Sequence, residues 1–271
     1  MVLFPNAKVN IGLYIVNRRN DGFHDIETVF YPVQSLTDIL EIVPAKDSEH
    51  ELTFTQTGIT VDGPWESNLC VKAYHLLKEY TSLPHVKIHL HKLIPMGAGL
   101  GGGSADGAFA LKALNQLAAN PIGHQQLLEI ALKLGSDCPF FIENKPTFAT
   151  GRGEVMQPIE IDLSHYHVVL VNPKIHVNTG KAYSQSTPKP AATNLMQLSK
   201  LSIDTWKELV SNDFEEVVFP LHPEIEAIKI ELYRLGAVYA AMSGSGSTVF
   251  GLFSQLPTQV SFPDNYFVHK G

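Results

Sequence analysis

The sequence predicts an α+β protein of two domains, because strand and helix patterns are mixed along both halves of the chain. A glycine-containing turn at 149–154 lies near the middle and marks the boundary that we expect between domains at 1–155 and 156–271. With 271 residues the chain is long enough for two modest domains, each with a core of its own.

The first half opens with β-structure. Apolar and polar residues alternate over 8–18, and the Asn-Asp-Gly turn at 20–22 joins this segment to 23–33, so the two segments are predicted to form a hairpin. The other elements predicted before residue 95 are strands near 38–43 and 51–56, a helix near 68–80 with Ser67 as its N-cap, and a strand over 86–91.

Two helices are predicted between residue 95 and the boundary. One begins at Ser104, its N-cap, and the other spans 124–134 and ends with Gly135 at the C′ position. Beyond the boundary the predicted elements are a strand over 166–171, a loop at 188–192, helices near 204–211 and 224–235, strands over 237–242 and 249–253, and a loop at 243–248 between them. Pro223 and Gly236 suit the start and the end of the last helix.

Residues 95–105 form the most informative segment, since five of the eleven are glycine. They follow a strand and precede a helix. Glycine lets the backbone approach a ligand closely, and the N–H groups and dipole of a helix N-terminus attract negative charge. We therefore expect a phosphate group at this segment. The candidate contacts are Pro95, Met96, Gly97, Ala98, Gly99, Leu100, Gly101, Gly102, Gly103, Ser104 and Ala105.

Other glycine loops fit the segment less well. A P-loop needs Gly-Lys-Ser/Thr, which is missing. A dinucleotide-binding G-x-G-x-x-G is formally present from Gly97 to Gly102, but it also needs an acidic residue about 20 positions further on. None occurs between Asp106 and Glu129. The His-Arg-Asp and Asp-Phe-Gly motifs of protein kinases are missing too, and a turn that only packs rarely needs so many glycines.

Three motifs together resemble the GHMP kinases, a family of small-molecule kinases. Segment 95–105 resembles the phosphate-binding motif, Asn-Ala-Lys-Val-Asn at 6–10 resembles the N-terminal strand motif, and 242–250 resembles the C-terminal glycine motif. They lie in the expected order and span nearly the whole chain. The resemblance implies an N-terminal nucleotide-binding α/β domain, a C-terminal α+β substrate domain, an active site in the cleft between them, and ATP as the phosphoryl donor.

Within the family, two further segments resemble kinases that act on a cytidine-diphosphate-linked methylerythritol in the non-mevalonate pathway to isoprenoids. These are Asp-Gly-Phe-His at 21–24 and Leu-Gly-Ser-Asp-Cys-Pro-Phe at 134–140. Ser136 and Cys138 depart from the commonest residues but flank Asp137, whose carboxylate is kept. The resemblance implies phosphorylation of the 2-hydroxyl of that alcohol. Another acceptor, such as homoserine or mevalonate, and a non-catalytic nucleotide-binding protein are the alternatives.

Asp137 and Lys8 are the candidate catalytic residues. A carboxylate near the acceptor oxygen can take its proton, and a lysine can pair with that carboxylate and stabilise negative charge on the phosphoryl group. Asn10 lies two residues from Lys8 on the same face of the predicted strand and is expected to orient substrate oxygens.

The cytidine end of the substrate is expected to bind aromatic residues. Phe23 and Tyr183 would stack on the base, and His24 would read the edge of the pyrimidine. Mg²⁺ is expected with ATP, and Ser104 is a candidate to assist it, although the sequence identifies no metal ligands. Gly244, Ser245 and Gly246 are expected to border the active site.

Composition and charge exclude other classes. The net charge of −7 opposes binding to nucleic acid, and no run of about 18 apolar residues predicts a membrane span. Two cysteines are too few for a disulfide framework or a zinc site. Since the N-terminus does not resemble a signal peptide, the expected location is the cytoplasm.

Overall fold

The computed structural model describes residues 1–61 and 63–271. The strands are β1 Val2–Leu3, β2 Asn6–Arg18, β3 His24–Thr37, β4 Ile39–Pro44, β5 Leu52–Gly58, β6 Val86–Lys92, β7 Thr147–Thr150, β8 Val155–Pro158, β9 His167–Asn172, β10 Tyr239–Met242, β11 Val249–Phe253 and β12 Phe267–Lys270. The α-helices are α1 Leu69–Lys78, α2 Gly102–Leu117, α3 His124–Leu134, α4 Cys138–Glu143, α5 Thr179–Gln185, α6 Trp206–Leu209, α7 Glu215–Leu221 and α8 Pro223–Arg234. Short 3₁₀ helices cover Trp65–Ser67, Leu195–Lys200 and Ile203–Thr205.

Contacts group the chain into two compact units. Unit 1 comprises Met1–Ala7, Leu36–Met96 and Gly101–Lys145, and unit 2 comprises Lys8–Ser35, Gly97–Leu100 and Pro146–Gly271. These units are interleaved along the chain, whereas the sequence analysis divides it into consecutive domains at residue 155. That domain boundary stays a prediction.

Unit 1 holds a four-stranded sheet in the order β1-β4-β6-β5. β4 pairs with β6 in the antiparallel sense and β5 pairs with β6 in the parallel sense. Val86, Ile88 and Leu90 of β6 are buried, as the alternation along this strand predicts. Helix α2 packs against α1 and β4, so the helix that follows the glycine loop is supported by the core of this unit.

Unit 2 holds an antiparallel sheet in the order β10-β11-β9-β12, and a second sheet in the order β2-β3-β7-β8 includes most of β2 and β3. Its apolar core includes Leu13 and Ile15 of β2, Val171 of β9, Phe214 and Met242. Both glycine motifs have segments in this unit, since 97–100 and 243–246 belong to it.

Most predicted elements are present, but several of their ends differ. Helix α3 occupies the predicted residues, whereas the N-cap of α1 is Asn68, whose side chain accepts a hydrogen bond from the Cys70 N–H. The prediction of Ser67 as that cap is therefore wrong. Gly135 is the C-cap of α3 with φ 171°, an extended conformation rather than the left-handed C′ conformation that was expected.

The sequence analysis missed short elements. Helices α4, α5 and α7 have six or seven residues each, and β1 has two. None of the helices in the described part of the chain has both the length and the apolar character that a membrane span requires.

Candidate active site

The glycine loop has the backbone that its composition predicts. Gly97, Gly99 and Gly101 have φ of 62°, 78° and 69°, in the left-handed region that glycine tolerates best. Gly101 is the N-cap of α2, and the helix begins at Gly102. The prediction of Ser104 as the N-cap is therefore wrong, because Ser104 lies inside the first turn.

The two glycine motifs meet inside unit 2. The Ser243 hydroxyl donates to the Gly99 carbonyl oxygen at 2.8 Å, and the Thr248 N–H donates to the Ala98 carbonyl oxygen at 3.2 Å. A Cβ on Gly99 would lie 2.0 Å from the Ser243 carbonyl oxygen. Such close backbone contact is possible only for glycine, so the contact explains why the loop needs glycine at this position.

Gly99→Ala is expected to destabilise the fold more than Gly97→Ala. Both substitutions place a side chain in the left-handed region, at a cost of about 1–2 kcal/mol. Only the Cβ at position 99 also meets backbone, since a Cβ on Gly97 has no atom within 4 Å. Urea unfolding of the two variants measures the difference directly. Equal losses of unfolding free energy would show that the contact between the two glycine motifs is looser than described.

Lys8 lies in a buried polar network on β2. Its Nζ donates to the Asn10 Oδ1 at 2.7 Å and lies 5.1 Å from the centre of the Phe30 ring. The Asn10 Nδ2 donates to the Thr28 hydroxyl at 3.0 Å, and that hydroxyl donates to the Gly12 carbonyl oxygen at 2.6 Å. The Asn10 backbone N–H donates to the Ser243 hydroxyl at 3.3 Å. Asn10 therefore holds the ammonium group of Lys8 and joins β2 to the C-terminal glycine motif.

Asp137 lies in unit 1 as the N-cap of α4, with Pro139 in the first turn of that helix. Helix α4 is not predicted from the sequence, because its six residues are too few to show a helical period. Burial raises the pKa of the neighbouring Cys138 to about 12, although a hydrogen bond with Ser104 opposes that shift. Cys138 therefore stays a neutral thiol at physiological pH.

A cavity of about 580 Å³ opens beside the loop in unit 1. Its lining includes Trp65, Asn68, Lys92, Met96, Gly103 and Asp106.

The Lys92 ammonium bridges Asp38 and Asp106, at 2.9 Å from the latter, and all three side chains are buried. Asp38 also accepts hydrogen bonds from the N–H groups of Leu93 and Ile94, at 2.6 and 2.8 Å. This triad fixes the chain where β6 ends and the glycine loop begins.

The triad lies in a low-dielectric environment. Burial raises the pKa of the Asp106 carboxyl well above its usual range, although the charge of Lys92 opposes that shift. Burial by itself would lower the pKa of Lys92, but the two carboxylates outweigh burial and raise it. Lys92 is therefore charged. The Oδ1 of Asp106 is buried and has no hydrogen-bond partner among the described residues.

The predicted cytidine-binding residues all lie in unit 2. The rings of His24 and Tyr183 stack, with centres 5.0 Å apart and planes inclined by 15°, and Tyr183 also meets the ring of Phe214 edge-on. Phe23 is 53% exposed, and the Arg152 guanidinium lies 4.9 Å from its ring centre. The ring stacked on Tyr183 in this structure is thus His24, whereas the sequence-based hypothesis places a base between Phe23 and Tyr183.

The ring of His24 is uncharged at neutral pH. Burial lowers its pKa, and the positive charge of Arg18 lowers it further. A neutral imidazole offers one donor and one acceptor nitrogen.

Lys92, Asn68 and Arg152 line or support these sites but were not singled out from the sequence. A lysine at the end of an otherwise amphipathic strand gives no local sign of burial, because its two carboxylate partners lie 54 and 14 residues away. Arg152 lies within the central glycine turn, which the sequence analysis treats only as a boundary.

Comparison with known proteins agrees with these motifs. The family models for the GHMP kinases N terminal domain and the GHMP kinases C terminal match residues 68–145 and 195–261. A 4-diphosphocytidyl-2-C-methyl-D-erythritol kinase of Parabacteroides distasonis is 51% identical over 255 residues, which cover 94% of this chain and 92% of the relative. One of Azobacteroides pseudotrichonymphae is 49% identical over 274 residues, covering 100% and 99% of the two chains.

A solved structure of a 4-(cytidine 5'-diphospho)-2C-methyl-D-erythritol kinase aligns with a TM-score of 0.78 and 30% identity, over 100% of this chain and 98% of that one. The similarity thus extends over both glycine motifs, the Lys8 strand and the Asp137 segment. The chain therefore belongs to the GHMP kinases and, among them, to the group of 4-diphosphocytidyl-2-C-methyl-D-erythritol kinases.

Proposed function

We propose that this chain transfers the γ-phosphoryl group of ATP to the 2-hydroxyl of 4-diphosphocytidyl-2-C-methyl-D-erythritol. The observation that carries the proposal is the buried Lys8–Asn10 pair, bonded to the same glycine motif that contacts the phosphate-binding loop. An ammonium group beside an anion-binding loop suits the transfer of a phosphoryl group. Relatives of about 50% identity that are named for this substrate support the choice of acceptor.

The glycine loop and the start of α2 are proposed to bind the triphosphate of ATP. Left-handed glycines and the first turn of a 16-residue helix direct backbone N–H groups at an anion. The cavity in unit 1 would take the base and ribose, since Met96 and Trp65 offer apolar surface and Ser67 and Asn68 offer polar atoms.

Asp137 is proposed as the general base, and Lys8 as the group that neutralises developing charge. As the acceptor oxygen bonds to phosphorus, its proton passes to the Asp137 carboxylate and the bond from the γ-phosphorus to ADP breaks. The ammonium of Lys8 offsets negative charge on the transferred group. The hydrogen bond to Asn10 keeps that ammonium in one position before the substrate binds.

Mg²⁺ is proposed to enter with ATP and to neutralise its phosphates. The Ser104 hydroxyl, in the first turn of α2, is a hard oxygen that suits the ion.

The cytidine end is proposed to bind at the aromatic cluster of Phe23, His24 and Tyr183. The neutral His24 ring can pair with the donor and acceptor atoms on the cytosine edge, and the exposed Phe23 ring offers a stacking surface. The Arg152 guanidinium lies over one face of that ring, at 4.9 Å from its centre.

Phe23→Ala is expected to raise KM for the cytidyl substrate by about 5- to 150-fold, since stacking on a base contributes about 1–3 kcal/mol. KM for ATP should stay unchanged. Phe4→Ala is the matched control, because Phe4 is a comparably exposed phenylalanine at 56%. An unchanged KM for the cytidyl substrate would remove Phe23 from the base site.

A panel of acceptors tests the proposed reaction. ADP release is measured with ATP and the cytidyl methylerythritol, homoserine or mevalonate, and only the first should support rapid turnover. Preference for either of the other two would reassign the substrate. Tight ATP binding without transfer to any of them would indicate a non-catalytic protein.

The chain is also proposed to act in the cytoplasm on this small molecule, without a nucleic acid partner. The acidic net charge supports the choice of partner, and the two buried cysteines, which form no disulfide, support that location.

A further inference from the structure

Asn212 makes three hydrogen bonds with backbone atoms and is fully buried. Its Nδ2 donates to the carbonyl oxygens of Met242 and Gly244, at 2.7 and 2.8 Å, and its Oδ1 accepts from the Phe214 N–H at 3.0 Å. Both donated bonds end on the C-terminal glycine motif. A carbonyl oxygen can only accept hydrogen bonds, so these two contacts need an amide NH₂ at position 212.

The segment that carries Asn212 is itself fixed to β2. The Leu13 N–H donates to the Ser211 carbonyl oxygen at 3.0 Å, and the Asp213 N–H donates to the Leu13 carbonyl oxygen at 2.8 Å. The Ile15 N–H donates to the Asp213 Oδ2 at 2.8 Å. β2 also carries Lys8 and Asn10. The residues on either side of Asn212 are therefore hydrogen-bonded to the strand that carries the proposed catalytic lysine.

From Gly244 the contacts lead to the phosphate loop. Gly244 lies against Asn10 and Gly99, since a Cβ on Gly244 would be 3.5 Å from the Asn10 Oδ1 and from the Gly99 Cα. The preceding residue, Ser243, donates to the Gly99 carbonyl oxygen. The position of the Gly244 backbone therefore sets the position of residues 97–100.

We propose that Asn212 is a positioning residue for ATP: its amide holds the carbonyl oxygens of Met242 and Gly244 so that the C-terminal glycine motif keeps residues 97–100 in place for the triphosphate. This inference rests on the proposed function, because it takes residues 97–100 to contact the phosphates. Asn212 touches neither substrate and acts through Gly244 and Ser243.

Asn212→Asp tests the inference with an almost unchanged shape. The variant keeps an oxygen for the Phe214 N–H but turns a carboxylate oxygen toward two carbonyl oxygens. Asn115→Asp is the matched control, since the Asn115 Nδ2 donates to the Ile122 carbonyl oxygen at 3.1 Å and its Oδ1 accepts from the Ile122 N–H at 2.8 Å, outside both glycine motifs. The control therefore also turns a carboxylate oxygen toward a backbone carbonyl oxygen, but it leaves the contacts of the two glycine motifs intact.

Affinity is measured with a fluorescent ATP analogue and, separately, with cytidine diphosphate, alongside kcat for each folded variant. Asn212→Asp should weaken ATP binding about 10- to 100-fold and leave cytidine diphosphate binding within threefold. Asn115→Asp should change both within threefold. If Asn212→Asp does not fold, Asn212→Ala against Asn115→Ala gives the same comparison.

Equal losses in the two pairs of variants, or equal losses for ATP and cytidine diphosphate, would overturn the inference and reduce Asn212 to a structural residue. The proposed function fails in a different way. A wild-type protein that binds ATP but does not phosphorylate the cytidyl alcohol contradicts the function, while the difference in ATP affinity still decides the role of Asn212.

Discussion

Replacing Asp137 with asparagine is expected to lower kcat by about 10²- to 10⁴-fold while ATP binding stays nearly unchanged. Asparagine has almost the same shape but cannot take a proton from the acceptor hydroxyl. Asp137 is held between Gly135 and Pro139, where α3 ends and α4 begins, so an isosteric change should leave the backbone in place. The measurement is single-turnover transfer with saturating ATP and cytidyl methylerythritol.

Asp162→Asn is the matched control for this experiment. Asp162 is an exposed aspartate that accepts a hydrogen bond from the Ser164 N–H and has no proposed role in transfer. Its variant should turn over at the wild-type rate. An Asp137→Asn variant with kcat within threefold of the wild type would remove Asp137 from the role of base.

The second large effect is expected from Lys8→Met, which should lower kcat by about 10²- to 10³-fold, the usual loss when one stabilising donor is removed. Methionine matches the length of lysine but carries no charge. Lys8 is only 4% exposed, and the variant also leaves the buried Asn10 Oδ1 without this donor, which costs about 1–3 kcal/mol of stability. Loss of turnover in a variant that is still folded at the assay temperature would separate the chemical role of Lys8 from a structural one.

Lys87→Met serves as the control, because Lys87 is an exposed lysine on strand β6. If Lys8→Met raises KM but keeps kcat, then Lys8 contributes equally to ground-state and transition-state binding. That result would contradict its proposed role in stabilising the transferred phosphoryl group.

Sequence periodicity predicts the long elements of this fold well, for a physical reason. Helix α3 buries Leu127, Ile130 and Ala131 along one face, so its apolar spacing is visible in the sequence. Strand β2 is buried on both faces from Asn6 to Ile15, but its polar and apolar residues still alternate, and the strand is therefore predicted. Helix α4, with six residues, is buried almost throughout and shows no polar face from which a period could be recognised. Strand β12 pairs with β9 from more than 90 residues away, and that partner is not apparent locally.

The candidate site was predicted as a set of residues but not as a set of contacts. The composition of the loop at 95–105 indicates an anion site, yet the close contact of Gly99 with Ser243 depends on a segment 144 residues away. The error at Ser104 has a related cause: serine is a common N-cap, but here the left-handed Gly101 ends the loop three residues earlier. The Lys92 triad was missed because its charges pair only in the folded chain.

Phosphorus NMR of the product tests the central claim most directly. In the proposed product the new phosphate is bonded to O2, and C2 carries a methyl group and no hydrogen. The new phosphomonoester resonance should therefore be a singlet without three-bond coupling to hydrogen, formed in step with ADP. A doublet or triplet would place the phosphate on another hydroxyl, and ADP release without a new phosphomonoester would contradict phosphorylation of this alcohol altogether.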